Sequence, residues 1–271
     1  MENNTVSVSW LKAHINDNNL VVLDASTGKK VSGEVSAIEG KRIKGARFFD
    51  LKNKFSDPDS EYPNTVPSPE RFEKNAQALG INQDSLIVIY DNLGIYTSPR
   101  AWWLFKSMGH INVAVLDGGL PEWIAQGGET EEEDKAEEYA LGNFKADYKA
   151  DKMRDFDFVR ENLSSELFQV LDARSKGRFE GTAPEPREGL RSGSIPNSIN
   201  LPYTAVLEKG KFKSKEAIKA IVNELELDDR PLVFSCGSGV TACIILLAVA
   251  MVTDQDKSVY DGSWTEWAQR F

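Results

Sequence analysis

Apolar residues fall in two rhythms along the 271-residue chain. Short runs rich in β-branched residues have the length and composition of buried strands: VVLDAS at 21–26, LIVIYD at 86–91, QVLDAR at 169–174 and PLVFSC at 231–236. Between them, RFEKNAQALG (71–80) and EAIKAIVNELEL (216–227) space their apolar residues three and four apart, the period of a helix with one buried face. Strands alternating with helices predict βαβ units, so the expected fold is α/β, with mainly parallel sheets covered by helices on both faces. Residues 242–252 are apolar without interruption, yet the run falls short of the roughly 18 residues that span a bilayer. A buried core helix is expected there, and no transmembrane segment.

The pattern occurs twice. VVLDAS matches QVLDAR, IKGARFFD (43–50) matches IPNSINLP (195–202), LIVIYD matches PLVFSC, and VLDGGLPEW (115–123) matches VYDGSWTEW (259–267), all at a nearly constant offset. This predicts two tandem domains of one fold, residues 5–126 and 156–271. The stretch 127–155 opens on two glycines, is acidic and holds few aliphatics, so it is expected to be an interdomain linker. Its acidic run, residues 131–134, reads as a solvated face rather than a cation site.

Composition narrows the chemistry. With 42 acidic and 32 basic residues the formal charge is −10, which disfavours nucleic acid and anionic membranes as partners. Small anions remain possible wherever a few arginines converge. The first residues show no basic stretch followed by an apolar one, so no signal peptide is expected and a cytoplasmic location is the default. Two cysteines and two histidines are too few for a disulfide framework or a zinc cage, and no cofactor or metal is expected.

The most informative stretch is PLVFSCGSGVTACIILLAVAM. A buried strand ends at Ser235, a loop Cys236-Gly237-Ser238-Gly239-Val240-Thr241 follows, and an apolar helix begins near Ala242. Open α/β sheets place their ligands at the carboxyl ends of strands, where Cys236 falls. Gly237 and Gly239 let the backbone curl so that several N–H groups converge, and the helix amino terminus adds positive potential. Such a loop favours an anionic, nucleophilic sulfur. Thr241 is expected to cap the helix. Cys243 lies inside the apolar run and is expected in the core.

These features together, with DARSKGRFEGTAPEPREG (172–189), YTSPRAWW (96–103) and the paired DGGLPEW and DGSWTEW ends, resemble the two-domain sulfurtransferases of the rhodanese superfamily over nearly the whole chain. The form CGSGVT is similar to the loop of members that use 3-mercaptopyruvate, whereas thiosulfate-using members carry basic residues directly after the cysteine. The resemblance implies that Cys236 accepts a sulfur atom as a persulfide and that pyruvate leaves, first as its enolate. It implies that Arg178 and Arg187 hold the carboxylate and carbonyl oxygen of the donor, a task suited to the planar, always charged guanidinium. Ser238 is implied to polarise the donor or pass a proton, and Gly237, Gly239, Val240 and Thr241 complete the cradle. A small-molecule sulfur donor and an acceptor such as thioredoxin, another dithiol or cyanide are the implied partners. Asp91 stands where the second half has Cys236, so the first domain is expected to be catalytically silent and to close one wall of a cleft. Arg100 and Trp102 are expected to pack rather than touch substrate. Some members of the superfamily couple the loop serine to an acidic residue and a histidine; the matching positions here are Lys52 and Asn64, so that relay is absent.

Other chemistries fit less well. The cysteine phosphatases need an arginine six residues after the nucleophile, and that residue is Ala242. A Cys-His hydrolase needs an imidazole beside the sulfur, and His14 and His110 both fall in the first half. A thioredoxin-like enzyme needs Cys-x-x-Cys, which is missing. Thiosulfate as donor, or a non-catalytic module that senses sulfur or redox state, are the alternatives left open.

Overall fold

The computed structural model describes residues 3–28, 33, 36, 38, 40–132 and 138–271. The chain divides into two compact units. Unit 1 comprises Met1–Pro58, Val66–Lys149 and Lys209–Lys211, and unit 2 comprises Asp59–Thr65, Ala150–Glu208 and Phe212–Phe271.

Unit 1 runs β1 (Thr5–Val6), α1 (Val8–His14), β2 (Leu20–Asp24), β3 (Lys41–Ile43), β4 (Arg47–Phe48), α2 (Pro69–Ala78), β5 (Leu86–Tyr90), α3 (Ser98–Ser107), β6 (Val113–Leu116), α4 (Gly119–Ala125) and β7 (Thr130–Glu132). Among the described residues its main sheet has the order β1-β6-β5-β2-β4, with every neighbouring pair parallel. Unit 2 runs β8 (Met153–Arg154), α5 (Phe156–Ser165), β9 (Gln169–Asp172), α6 (Lys176–Phe179), β10 (Ile199–Asn200), α7 (Lys215–Asn223), β11 (Leu232–Ser235), α8 (Ala242–Ala250), β12 (Lys257–Tyr260) and α9 (Ser263–Arg270). Its sheet, β8-β12-β11-β9-β10, is again all parallel and follows the same order, strand for strand. The four runs recognised in the sequence are the central strands β2, β5, β9 and β11.

These strands show no alternation because a parallel sheet is covered on both faces; β11 is buried at every residue. Helices α2, α5 and α7 begin where a side chain satisfies a free N–H group: Ser68 accepts from Arg71 N, Asp155 from Phe158 N and Ser214 from Ala217 N. Helix α8 is apolar on all sides and buried from Ala242 to Val249, as a helix without a polar face must be. Thr241 occupies its N-cap position but makes no side-chain cap bond, because its backbone is already helical (φ −70°, ψ −18°). The expected cap is therefore not formed. Among the described residues no helix is long and apolar enough to cross a membrane.

The stretch expected to link the domains lies along unit 1 as far as Lys149. Strand β7 pairs antiparallel with β3, and Glu131 accepts from Arg42 Nε at 2.8 Å. Glu133 and Asp134, from the acidic run, fall outside the described residues. Beyond them Phe144 is fully buried, its ring centroid 5.7 Å from Phe72 and 6.0 Å from Phe105. One aromatic residue in a polar segment thus supplies an anchor that average composition conceals.

Candidate active site

Strand β11 delivers the chain to Ser235, and Cys236 follows at its carboxyl end, only 2% exposed. The loop is held from behind by α9. Cys236 N donates to Ser263 Oγ (3.3 Å), Trp264 N donates to Cys236 O (2.9 Å), and Thr265 donates to Gly237 O from both its N–H (3.0 Å) and its hydroxyl. In a trans peptide the N–H points opposite the C=O. With the carbonyls of Cys236 and Gly237 turned toward α9, the N–H groups of Gly237 and Ser238 face the other way. Gly239 then adopts φ +76°, open to glycine without strain, and the chain enters α8. Among the described residues the N–H groups of residues 237–241 donate to no protein acceptor. Cys243 is buried in α8, and its Sγ donates to Gly239 O at 3.3 Å.

Unit 1 displays what such a loop does with its N–H groups. There Asp91, fully buried, accepts at Oδ2 from Tyr96 N (2.8 Å), Thr97 N (3.0 Å), Ser98 N (3.0 Å) and Ser98 Oγ (2.6 Å), and at Oδ1 from Leu93 N (3.0 Å). The loop closes on its own carboxylate, an anion gathered by backbone donors at the start of α3. Arg100 and Trp102 on α3 are buried.

Of the two sequence-predicted arginines, Arg178 reaches the cysteine loop itself and Arg187 reaches Thr265 on α9, which bonds that loop. Arg178 on α6 lies against Gly237, where an added Cβ would stand 3.2 Å from Nη2. Its Nε and Nη2 also donate to Glu185 Oε2 at 3.2 and 2.6 Å. Glu185 Oε1 accepts from Arg174 Nη1 (2.8 Å), and Arg174 in turn binds both oxygens of Asp172 and lies over the Trp264 ring at 4.3 Å. Arg187 donates from Nη1 to Thr265 Oγ1 at 2.6 Å. Ser238, 5% exposed, accepts from Asn64 Nδ2 at 3.0 Å, Asn64 belonging to the segment Asp59–Thr65 of unit 2. Val240 and Thr241 are half-buried and lead into α8.

The remaining candidates lie elsewhere. Lys52 is exposed on unit 1. His14 stacks on Trp10 and bonds its carbonyl, while His110 is buried against Ser85 O (3.0 Å), where desolvation holds it below the usual imidazole range and keeps it neutral at pH 7. Sequence reasoning did not single out Glu185, Arg174, Ser263 or Thr265. DGSWTEW did carry a signal: it differs from DGGLPEW at the positions that bond the cysteine loop.

A cysteine at the end of a parallel strand, inside a loop whose twin closes on a carboxylate, occurs here in a chain that belongs to the rhodanese-like domain family, matched over residues 7–126 and 155–270. Within that family the chain is a sulfurtransferase. It is 40% identical to the 3-mercaptopyruvate sulfurtransferase of Mus musculus, covering 98% of this chain and 92% of that protein. It is 38% identical to the thiosulfate sulfurtransferase of Mus musculus over the same shares of both chains. The crystal structure of the Escherichia coli 3-mercaptopyruvate sulfotransferase SseA superimposes with a TM-score of 0.84 at 32% identity, covering 97% of this chain and 99% of that one.

Proposed function

We propose that this enzyme moves sulfur from 3-mercaptopyruvate through a persulfide on Cys236 to a thiol or cyanide acceptor, releasing pyruvate. The observation that carries this reading is the pair of loops. The loop of unit 1 spends its N–H groups on the Asp91 carboxylate, whereas unit 2 places a cysteine at the matching position beside N–H groups that have no acceptor among the described residues. A sulfur anion is what such donors stabilise.

In the first half-reaction the Cys236 thiolate attacks the donor sulfur, an S–S bond forms and the C–S bond breaks. The electron pair leaves on carbon as the pyruvate enolate, which takes up a proton to give pyruvate. Arg178 and Arg187 bind the donor's carboxylate and carbonyl oxygen, and the loop N–H groups hold the charge on sulfur. In the second half-reaction a thiolate, from thioredoxin or another dithiol, or cyanide takes the outer sulfur and restores the Cys236 thiolate. A cytoplasmic setting suits this cycle because it keeps the thiol reduced between turnovers. Gly237 and Ser238 add no cation to the loop, which favours a carboxylate donor held by flanking arginines over dianionic thiosulfate.

The test is to treat the protein with 3-mercaptopyruvate without acceptor. One sulfur should be added per chain by intact mass, with one pyruvate released. kcat/KM should exceed that for thiosulfate by roughly 10-fold or more. A preference for thiosulfate overturns the choice of donor, and no pyruvate at all overturns the reaction and leaves a sulfur-binding module.

Asn64 replaces the titrating relay with a fixed donor. An amide N–H donating to Ser238 Oγ leaves the hydroxyl proton of Ser238 directed elsewhere, toward the donor. Asn64 has φ +63°, so Asn64→Gly keeps the left-handed backbone and removes the side-chain amide. Loss of the bond to Ser238 Oγ should lower kcat roughly 5- to 10-fold, and most of that loss should vanish in a Ser238→Ala background, where Asn64 Nδ2 still has the backbone oxygen of residue 238 at 3.5 Å. Steady-state pyruvate release measures both; equal losses in the two backgrounds would show that Asn64 does not act through Ser238.

A further inference from the structure

The two copies of the terminal motif differ where they meet their loops. In unit 1, Leu120 N donates to Asp91 O (3.0 Å), and in unit 2 Trp264 N donates to Cys236 O (2.9 Å), so this bond is common to both. The neighbours are not. Gly119 of unit 1, at φ +53°, is Ser263 in unit 2, which keeps φ +50° although a side chain is strained there. Its hydroxyl accepts from Cys236 N and donates to Tyr260 O (2.8 Å). Pro121 of unit 1 has no N–H to give, and its counterpart Thr265 donates to Gly237 O from both backbone and side chain. The unit with the cysteine thus carries extra loop bonds that the unit with the aspartate lacks. Strain retained in that way marks a site whose geometry matters.

The Thr265 hydroxyl has one proton, given to Gly237 O, and a lone pair that takes the Arg187 Nη1 proton at 2.6 Å. A single buried hydroxyl therefore joins the guanidinium to the peptide that aims the Ser238 N–H. We propose that Thr265 is a positioning residue that couples Arg187 to the cysteine loop, so that seating of the donor's carboxylate and orientation of the loop's N–H groups are set together. This deepens the proposed reaction and rests on the assignment of Arg187 to the donor carboxylate. Thr265 does not touch the reacting atoms in this role; it acts through Arg187 and Gly237.

The experiment compares Thr265→Val, which keeps shape and removes the hydroxyl, with Thr265→Ser, which keeps the hydroxyl and removes the methyl. T265V should raise KM for 3-mercaptopyruvate roughly 10-fold and lower kcat by a smaller factor, because one charge-assisted bond and one neutral bond are lost. T265S should restore most of both. In an Arg187→Gln background T265V should raise KM less than about 2-fold further, since the pair acts as one unit. A KM for T265V near that of wild type, a T265S variant as impaired as T265V, or an undiminished effect in R187Q each overturns the coupling. Should T265V not fold by thermal melt, Thr265→Ala carries the same comparison. Wild-type pyruvate release separates the two levels of inference. Its absence removes the reaction and this coupling with it, while its presence with a silent T265V removes the coupling alone.

Discussion

Replacing Cys236 by serine should reduce pyruvate release by roughly 10^3-fold or more and abolish the gain of one sulfur in intact mass. The size of the effect follows from the step it removes. A serine hydroxyl fills the same space, but it is a far weaker nucleophile and cannot carry the transferred atom as a persulfide, so both half-reactions fail together. The rest of the site is undisturbed, because the loop is held through the backbone of residues 236 and 237 by Ser263, Trp264 and Thr265. Cys243→Ser is the matched control. It lies in the buried helix α8, and a serine there can still donate to Gly239 O, so the mass increase should persist. Sulfur found on the C236S protein, or lost from a folded C243S protein, would move the carrier to the second cysteine.

The second large effect is on stability. Arg174 and its partners Asp172 and Glu185 have side chains no more than 1% exposed, with contacts of 2.7 and 2.8 Å. Arg174→Met leaves two buried carboxylates, and Glu185 keeps only Arg178 at 2.6 Å. Removing one partner from a buried ionic network costs about 3–5 kcal/mol, because the remaining charges lose compensation without regaining water. The melting temperature of unit 2 should fall on the order of 10 °C by calorimetry. Replacing Asp172, Arg174 and Glu185 together by Asn, Met and Gln should recover much of that loss, since the one charge left without its partner, Arg178, is 21% exposed and reaches water. A melting temperature unchanged in R174M would mean that water reaches these carboxylates.

The same network explains why part of the site was legible and part was not. The CGSGVT loop was readable because strand, glycines, cysteine and helix start are contiguous, and local backbone geometry follows from contiguous residues. Arg178 and Arg187 came from resemblance, not from spacing. The bonds that Thr265 and Asn64 make at the site could not be seen, because they join residues 78 and 174 positions apart. Asn64 was noted as a lost relay, whereas in the structure it is a donor to Ser238. In the stretch 127–155 average polarity reads as a solvated linker, yet the residues around Phe144 belong to unit 1, with Phe144 fully buried, and those from Ala150 belong to unit 2.

By itself the sequence determined the α/β class, the use of one fold twice, the position of Cys236 at a strand end and the aspartate that stands in its place in the first half. Each of these depends on periodicity, on local backbone freedom or on comparing the chain with itself. Only the tertiary structure decided that the Asp91 carboxylate fills its own loop, that Glu185 is shared between Arg174 and Arg178, and that Thr265 joins Arg187 to the cysteine loop. Those are directional bonds between residues brought together by the packing of helices on a parallel sheet. Their geometry exists only once the hydrophobic layers have set the distances between side chains far apart in the chain.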